Sequence, residues 1–256
     1  MKKIFFTSIF VVAAIVSCTF SKDNTENNWK EHGLKGKVKS VKEYRYDITS
    51  ESEKIIKGQK FTFIDKYDNK GNKIETSGNC GKSFAYKIII KYKYDNKGNK
   101  IEKSAYHSNG NPFFKDICKY DEKRNLIEDN CHNYDYDLEY KHIYKYDDRG
   151  NQIEKNRYDS NGNLEYKYTY KYDDKDNQIE MICYSSDGNL ETKCIYKYDD
   201  KGNQIEKKLY NSDESLYLTE FYEYKYDSKN NWTEKITYEG ETKMSKMLFE
   251  RTIKYY

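Results

Sequence analysis

Cysteine, histidine and carboxylate side chains are those through which proteins most often do chemistry, and this chain has all three in quantity. Its six cysteines are Cys18, Cys80, Cys118, Cys131, Cys183 and Cys194, and its four histidines are His32, His107, His132 and His142. None of the histidines stands at a spacing that holds zinc or backs a nucleophile, and the chain has no glycine-rich phosphate loop and no nucleophile elbow. Carboxylates cluster, as in Asp173-Asp174 and Asp199-Asp200, but the clusters return at a fixed interval. A catalytic pair is unique, whereas a residue that returns with the backbone period is a turn former. The same turns offer oxygen to calcium, which takes about six to eight ligands, yet the lysine beside most of them would repel the cation. The chain therefore reads as a non-enzyme with no cofactor and no metal site.

Cys18 is the exception, because of what precedes it. Lys2 and Lys3 open the chain, an apolar run from Ile4 to Val16 follows, broken only by Thr7 and Ser8, and Ile15-Val16-Ser17 leads into the cysteine. The run falls short of the ~20 residues a helix needs to cross a bilayer, so it is an export signal rather than a membrane span. Ile15-Val16-Ser17-Cys18 resembles a bacterial lipobox, whose cysteine is diacylated and becomes the first residue after cleavage. Residues 1–17 are thus expected to be a signal peptide, and Cys18 the lipid anchor to a membrane. Residues 18–32, rich in Asn, Ser and charge, are expected to be a flexible tether. Losing residues 1–17 takes the formal charge from +3 to +1, too little positive excess for nucleic-acid binding. The expected location is the cell envelope, at an outer membrane or the cell surface. The five remaining cysteines are odd in number, so at least one thiol stays free or pairs between molecules.

The carboxylate clusters are positioned by a repeat. Lys-Tyr-Asp recurs with its tyrosine at 67, 94, 120, 146, 172, 198 and 226, a period of 26 with small departures. Seven positions on comes Ile74, Ile101, Ile127, Ile153, Ile179, Ile205 and then Thr233, and glutamate follows each of them. A fixed period in this range marks a repeat architecture. Between tyrosine and isoleucine lies a turn such as Asp199-Asp200-Lys201-Gly202-Asn203, and a second turn such as Ser160-Asn161-Gly162-Asn163 comes halfway through each unit.

The segments between turns alternate, with Leu164, Tyr166, Tyr168, Tyr170 and Tyr172 on one face and Glu165, Lys167, Thr169 and Lys171 on the other. Each unit is then two strands, and residues 33–256 form an all-β antiparallel meander of about fourteen strands from seven repeats. A sheet that wide curls, so a shell, a partial barrel or a solenoid-like sheet is expected, with the Tyr and Ile rows inside. A four-residue loop sets Tyr172 opposite Ile179 and Lys171 opposite Glu180, whereas glycine at the third loop position suits a three-residue loop with a glycine bulge. The four-residue reading is preferred because it keeps the faces matched. Val38–Tyr46 and Met247–Tyr256 are strand-like but off the repeat, and are expected to be capping strands at the two ends.

Tyr198-Asp199-Asp200-Lys201-Gly202-Asn203 and its six counterparts resemble the YD repeats of the RHS family, over roughly residues 61 to 240. Half-units such as Asp187-Gly188-Asn189-Leu190-Glu191 resemble MORN-like repeats more weakly. The RHS resemblance implies a β-strand shell and a cell-surface, carbohydrate-associated setting; it transfers no residue-level role, because the matching positions are turn and strand residues.

Tyrosine, with 29 residues, carries what binding chemistry remains. Its ring stacks on sugars and its hydroxyl bonds, although in a chain this poor in aliphatics the same rings must also build the core. Tyr144, Tyr170 and Tyr196 hold the same place in three successive units and are the candidate binding row. Two functions are expected to compete: a membrane-anchored binding or adhesion module for a glycan, another envelope polymer or a surface protein, and a structural envelope protein with no small ligand.

Overall fold

The computed structural model describes Trp29 and residues 32–51, 54–80, 84–240 and 244–256. The signal segment, Cys18 and the tether as far as residue 28 lie outside the described residues. Sixteen strands follow one another: β1 (Val38–Glu51), β2 (Lys54–Tyr67), β3 (Lys73–Cys80), β4 (Phe84–Tyr94), β5 (Lys100–His107), β6 (Pro112–Tyr120), β7 (Leu126–Asn133) and β8 (Leu138–Tyr146) make the first half. The second half is β9 (Gln152–Asp159), β10 (Leu164–Tyr172), β11 (Gln178–Ser185), β12 (Leu190–Tyr198), β13 (Gln204–Tyr210), β14 (Leu216–Tyr226), β15 (Trp232–Glu239) and β16 (Met244–Tyr255).

Each strand pairs antiparallel with its neighbours in sequence, and β1 pairs with β16, so the sheet is a closed barrel. The seven repeats supply β2 to β15, the fourteen strands expected. The off-pattern ends supply β1 and β16. These two cover the edges of β2 and β15 and then pair with each other, Val41 opposite Ile253, Glu43 opposite Arg251 and Arg45 opposite Phe249. Closure leaves no unpaired edge to recruit another chain.

The turn after each Lys-Tyr-Asp is the tighter of the two forms, and the preferred four-residue loop is wrong. In the fifth repeat Asp173 N–H donates to Asn177 O at 3.0 Å and Asp176 N–H to Asp173 O at 3.1 Å. Three residues lie between that closing pair, and the third has positive φ: 63° at Asp176, 81° at Gly202. Lys171 still faces Glu180, as expected, but Tyr172 faces Gln178, so Ile179 is left over in a bulge. This second irregularity restores the pairing that the short turn would have displaced. It also overturns the inward isoleucine row, since Ile74, Ile101, Ile127, Ile153, Ile179 and Ile205 are 36–42% exposed.

The tyrosine face is the inner wall. Its positions hold most of the buried side chains, among them Phe63, Tyr67, Ile90, Ala105, Cys118, Leu126, Cys131, Tyr144, Cys183 and Cys194. The opposite face carries the lysine and glutamate rows. At the rim of the Lys-Tyr-Asp turns, Trp29 and Leu34 pack on Val38, Val41 and Tyr67 and so close over part of that end. Trp29 Nε1 donates to Val38 O at 2.7 Å, and Asn231 holds Lys35 by both its backbone groups, at 2.6 and 2.8 Å.

Candidate functional site: the barrel interior

The register determines how the inner wall is laid out. Tyr144 on β8 faces Lys155 on β9, which faces Tyr168 on β10, whereas the repeat counterpart of Tyr144 is Tyr170. The same two-residue advance separates Tyr170, through Met181 and Cys194, from Tyr196. An advance of one residue per strand inclines the strands by about 36° and puts equivalent positions at one height around the wall. Sixteen strands at that tilt and spacing have the circumference of a cylinder of roughly 15 Å radius. One layer of side chains fills a barrel of about eight strands, whereas barrels of about sixteen keep an aqueous interior.

Tyr144, Tyr170 and Tyr196 therefore form part of an inward ring rather than an outward row. Tyr144 is 5% exposed and donates its hydroxyl to Asp129 Oδ2 at 2.7 Å. Tyr170 and Tyr196 are half-buried, and burial raises the pKa of both phenols well above the ordinary value, so both are neutral donors.

Polar groups around Tyr144 are tied together. His142 Nδ1 lies 2.8 Å from Asp129 Oδ1, and burial lowers the pKa of His142 although Asp129 opposes it. A neutral ring with its Nδ1 proton on Asp129 fits both observations. The same bonds, with that of Tyr144, keep the Asp129 carboxyl below the usual range despite its burial. Arg157 lies over the Tyr140 ring at 4.0 Å and bonds Glu165 at 2.7 Å. Cys131 stands beside Tyr140 and Asp116, not His142, and burial pushes its thiol up to about 12. A thiol that burial holds protonated is not an activated nucleophile. Cys118, Cys183 and Cys194 are likewise buried thiols on this wall, while the side chain of Cys80 lies outside those described.

The turn carboxylates are consumed locally. Asp199 Oδ1 accepts from Lys201 N and Asn203 N at 2.9 and 2.8 Å, and Oδ2 accepts Asn203 Nδ2 at 2.9 Å. Asp68, Asp95 and Asp173 repeat the pattern. No group of three or more His, Cys, Asp or Glu suited to a metal occurs among the described residues.

The outer face is ionic. Glu154 on β9 bonds Lys145 on β8 at 2.7 Å and Lys167 on β10 at 2.9 Å. These bonds outweigh its partial burial and bring its carboxyl down to about 2. Glu102 is bracketed by Lys93 and Lys115, and Glu180 by Lys171 and Lys193. The sequence pattern shows the lysine and glutamate rows but not the inner cluster of Arg45, Lys235 and Arg251. Those three stand on β1, β15 and β16 and meet only through closure.

No family model and no curated protein matches the chain. Among solved structures, a porin-like protein from Bacteroides uniformis is similar with a TM-score of 0.57 at 10% identity, over 85% of this chain and 98% of that one. That likeness agrees with the barrel fold. A porin-like protein from Bacteroides vulgatus aligns at 14% identity over 86% and 98% of the two chains, with a TM-score of 0.40. A putative outer membrane lipoprotein-sorting protein domain from Vibrio parahaemolyticus aligns at 6% identity over 84% and 86%, with a TM-score of 0.31.

Proposed function

We propose that the protein is a lipoprotein of the cell envelope, anchored through Cys18, whose barrel stands in water beside the membrane and binds a glycan or similar envelope polymer on its inner wall. The observation that carries this reading is the placement of charge. A barrel that spans a bilayer presents an apolar band about 25 Å tall, and a lysine at mid-depth costs about 2–4 kcal/mol. Here Glu102, Glu154 and Glu180 and their lysines stand on the outer face. The rings face inward, where a polymer can meet the same tyrosine at regular intervals and gain affinity from several weak contacts. The name of the Bacteroides uniformis neighbour, porin-like, agrees with a barrel of this size; the ionic outer face favours a vessel in water over a membrane pore. The Tyr-Asp turns that resemble RHS repeats fit a carbohydrate-associated surface setting.

A structural barrel without a ligand is the second reading. It is favoured by the phenols of Tyr94, Tyr120, Tyr146, Tyr172 and Tyr198, whose hydroxyls are spent on backbone carbonyls. A glycan and cell-wall-polymer screen on the chain from Thr19, alongside a Tyr170→Ala/Tyr196→Ala variant, separates the two. Binding by the wild type that falls at least tenfold in a folded double variant supports the proposal. Retention of no polymer supports the structural reading, and equal binding by both proteins refutes the Tyr170–Tyr196 row as the site. The anchor is tested by feeding cells a labelled fatty acid: the wild type takes up label and Cys18→Ala does not, and equal labelling refutes it.

A further inference from the structure

We propose that the seam where β15, β16 and β1 meet is a binding site for an anionic group, a carboxylate or a sulfate or phosphate ester, held by Lys235, Arg45 and Arg251. The inference rests on the reading that the interior admits a ligand, and it adds what that ligand must carry.

Closure builds the cluster. Arg45 on β1 faces Phe249 on β16, and Phe249 faces Lys235 on β15. In the adjoining row Glu43 faces Arg251, whose guanidinium lies 3.3 Å from the Trp232 ring centroid. All four charged side chains are on the inner wall. Glu43 is the one carboxylate among them, and both its oxygens are taken: Oε1 by Arg45 Nε at 2.7 Å and Oε2 by Arg251 Nε at 2.8 Å. The two arginines and burial act in opposite directions on Glu43, and the arginines prevail, so it is ionised. One negative charge therefore faces three cationic groups. Both guanidiniums meet Glu43 through Nε, so their Nη donors lie outside that pair.

Lys235 is the unusual member. Its ammonium sits 4.2 Å from the Phe249 ring centroid and within 6 Å of the Trp232 and Tyr222 rings, at 5.6 and 5.8 Å. No carboxylate among the described residues bonds it. Glu220, the next acid on this wall, is engaged by the Tyr222 hydroxyl at 3.0 Å and Lys207 at 3.7 Å. Lys235 is half-buried as a residue, and its ammonium is largely enclosed by protein. Burial lowers its pKa to about 8, with Arg251 and Arg45 adding to the effect against Glu43 and the more weakly acting Glu220. The group is thus still largely charged at neutral pH. Buried ammonium groups are ordinarily paired, because desolvation without a counter-charge is costly, and contact with an aromatic face replaces only part of the lost hydration. An anion placed among the ammonium and the two sets of Nη donors supplies the missing charge, and the planar guanidinium fork suits paired oxygens.

The test uses the chain from Thr19, which contains every described residue, with Lys235→Met, Lys235→Gln and the outer-face control Lys171→Met. Melting is followed in sodium glucuronate, sodium sulfate and sodium phosphate against sodium chloride of equal ionic strength. General salt effects act on all four proteins alike, so the informative quantity is the difference between them. At least one of the three anions is expected to raise the melting temperature of the wild type and of Lys171→Met by several degrees more than that of either Lys235 variant. The anion that does so identifies the ester or carboxylate source. Calorimetric titration with an oligogalacturonate is then expected to show at least tenfold weaker binding for Lys235→Met. Equal shifts in wild type and Lys235 variants for all three anions overturn the proposal. Oligogalacturonate binding that is indifferent to Lys235 overturns it too, while leaving the polymer reading intact. A Lys235-dependent anion shift with no polymer bound keeps the anion site and removes that reading.

Discussion

Tyr172 donates its hydroxyl to the Gln152 carbonyl oxygen at 2.8 Å, joining the end of β10 to the start of β9. The β9–β10 ladder stops at Glu154 opposite Thr169, so the Gln152 carbonyl lies past its last pair, beside the bulge, and the phenol takes it up. The same link runs from Tyr94 to Lys73, Tyr120 to Lys100, Tyr146 to Leu126 and Tyr198 to Gln178. In the last repeat Tyr224 replaces Tyr226 in the role and bonds Gln204 at 2.9 Å. In five of the seven repeats the tyrosine of Lys-Tyr-Asp is thus tied to the bulge after the preceding turn.

Tyr172→Phe keeps the ring and removes the bond, leaving the Gln152 carbonyl without that donor. A loss of about 1–3 kcal/mol is expected in urea unfolding. Tyr166→Phe, at a position 40% exposed, should change stability by less than about 0.5 kcal/mol. Equal effects of the two would remove the phenol link from the account.

Arg124 stands where four other repeats have glycine, at 71, 98, 150 and 202, and has φ 69°. It is not simply strained, because Nε donates to Asn99 Oδ1 at 3.0 Å and Nη2 donates to Lys97 O, both in the neighbouring turn. Asp176 does the same from φ 63°, accepting Asn151 Nδ2 at 3.0 Å. Arg124→Ala keeps the unfavourable φ and loses both bonds, so it should destabilise by about 1–3 kcal/mol. Arg124→Gly loses the bonds but relieves the backbone, and should be about 1 kcal/mol more stable than the alanine variant. Thermal melts showing alanine equal to or better than glycine would contradict the positive φ.

Lys235 binds its proton less tightly folded, at about 8, than unfolded, at the ordinary 10.5. Above pH 8 the unfolded chain therefore holds more protons at this residue, and stability from this group rises with pH. Tyrosines act oppositely above about pH 10, since burial raises their folded values while the unfolded phenol titrates near its ordinary one. The window is thus about pH 8 to 9.5. Across it the wild type should gain stability relative to Lys235→Met, and parallel profiles would show that the ammonium is not desolvated.

The repeat, its two turns, the strand alternation and the Lys171–Glu180 register were legible because each is local and recurs. The loop length is hidden because two irregularities compensate: positive φ at Asp176 shortens the turn and the bulge at Ile179 restores the pairing. From the faces alone the two solutions look alike, and only the fate of Ile179 tells them apart. Closure was not legible, since Glu43 and Arg251 meet from opposite ends of the chain and neither belongs to the repeat. For the same reason the candidate site was found only in part. The periodic Tyr144, Tyr170 and Tyr196 stand out as a row, whereas Arg45 and Arg251 lie on the off-pattern end strands and Lys235, at a repeat position after Glu234, meets them only through closure.

An ionic outer face and inward tyrosines suit a barrel that stands beside the membrane rather than through it, as proposed. The direct measurement is of the chain from Thr19, prepared without detergent, by far-UV circular dichroism and by flotation with lipid vesicles. A β-rich, cooperatively melting protein that remains in the aqueous fraction and gives no conductance in a planar bilayer is expected. A chain that folds only in detergent, floats with the vesicles or opens ion-conducting channels would contradict it.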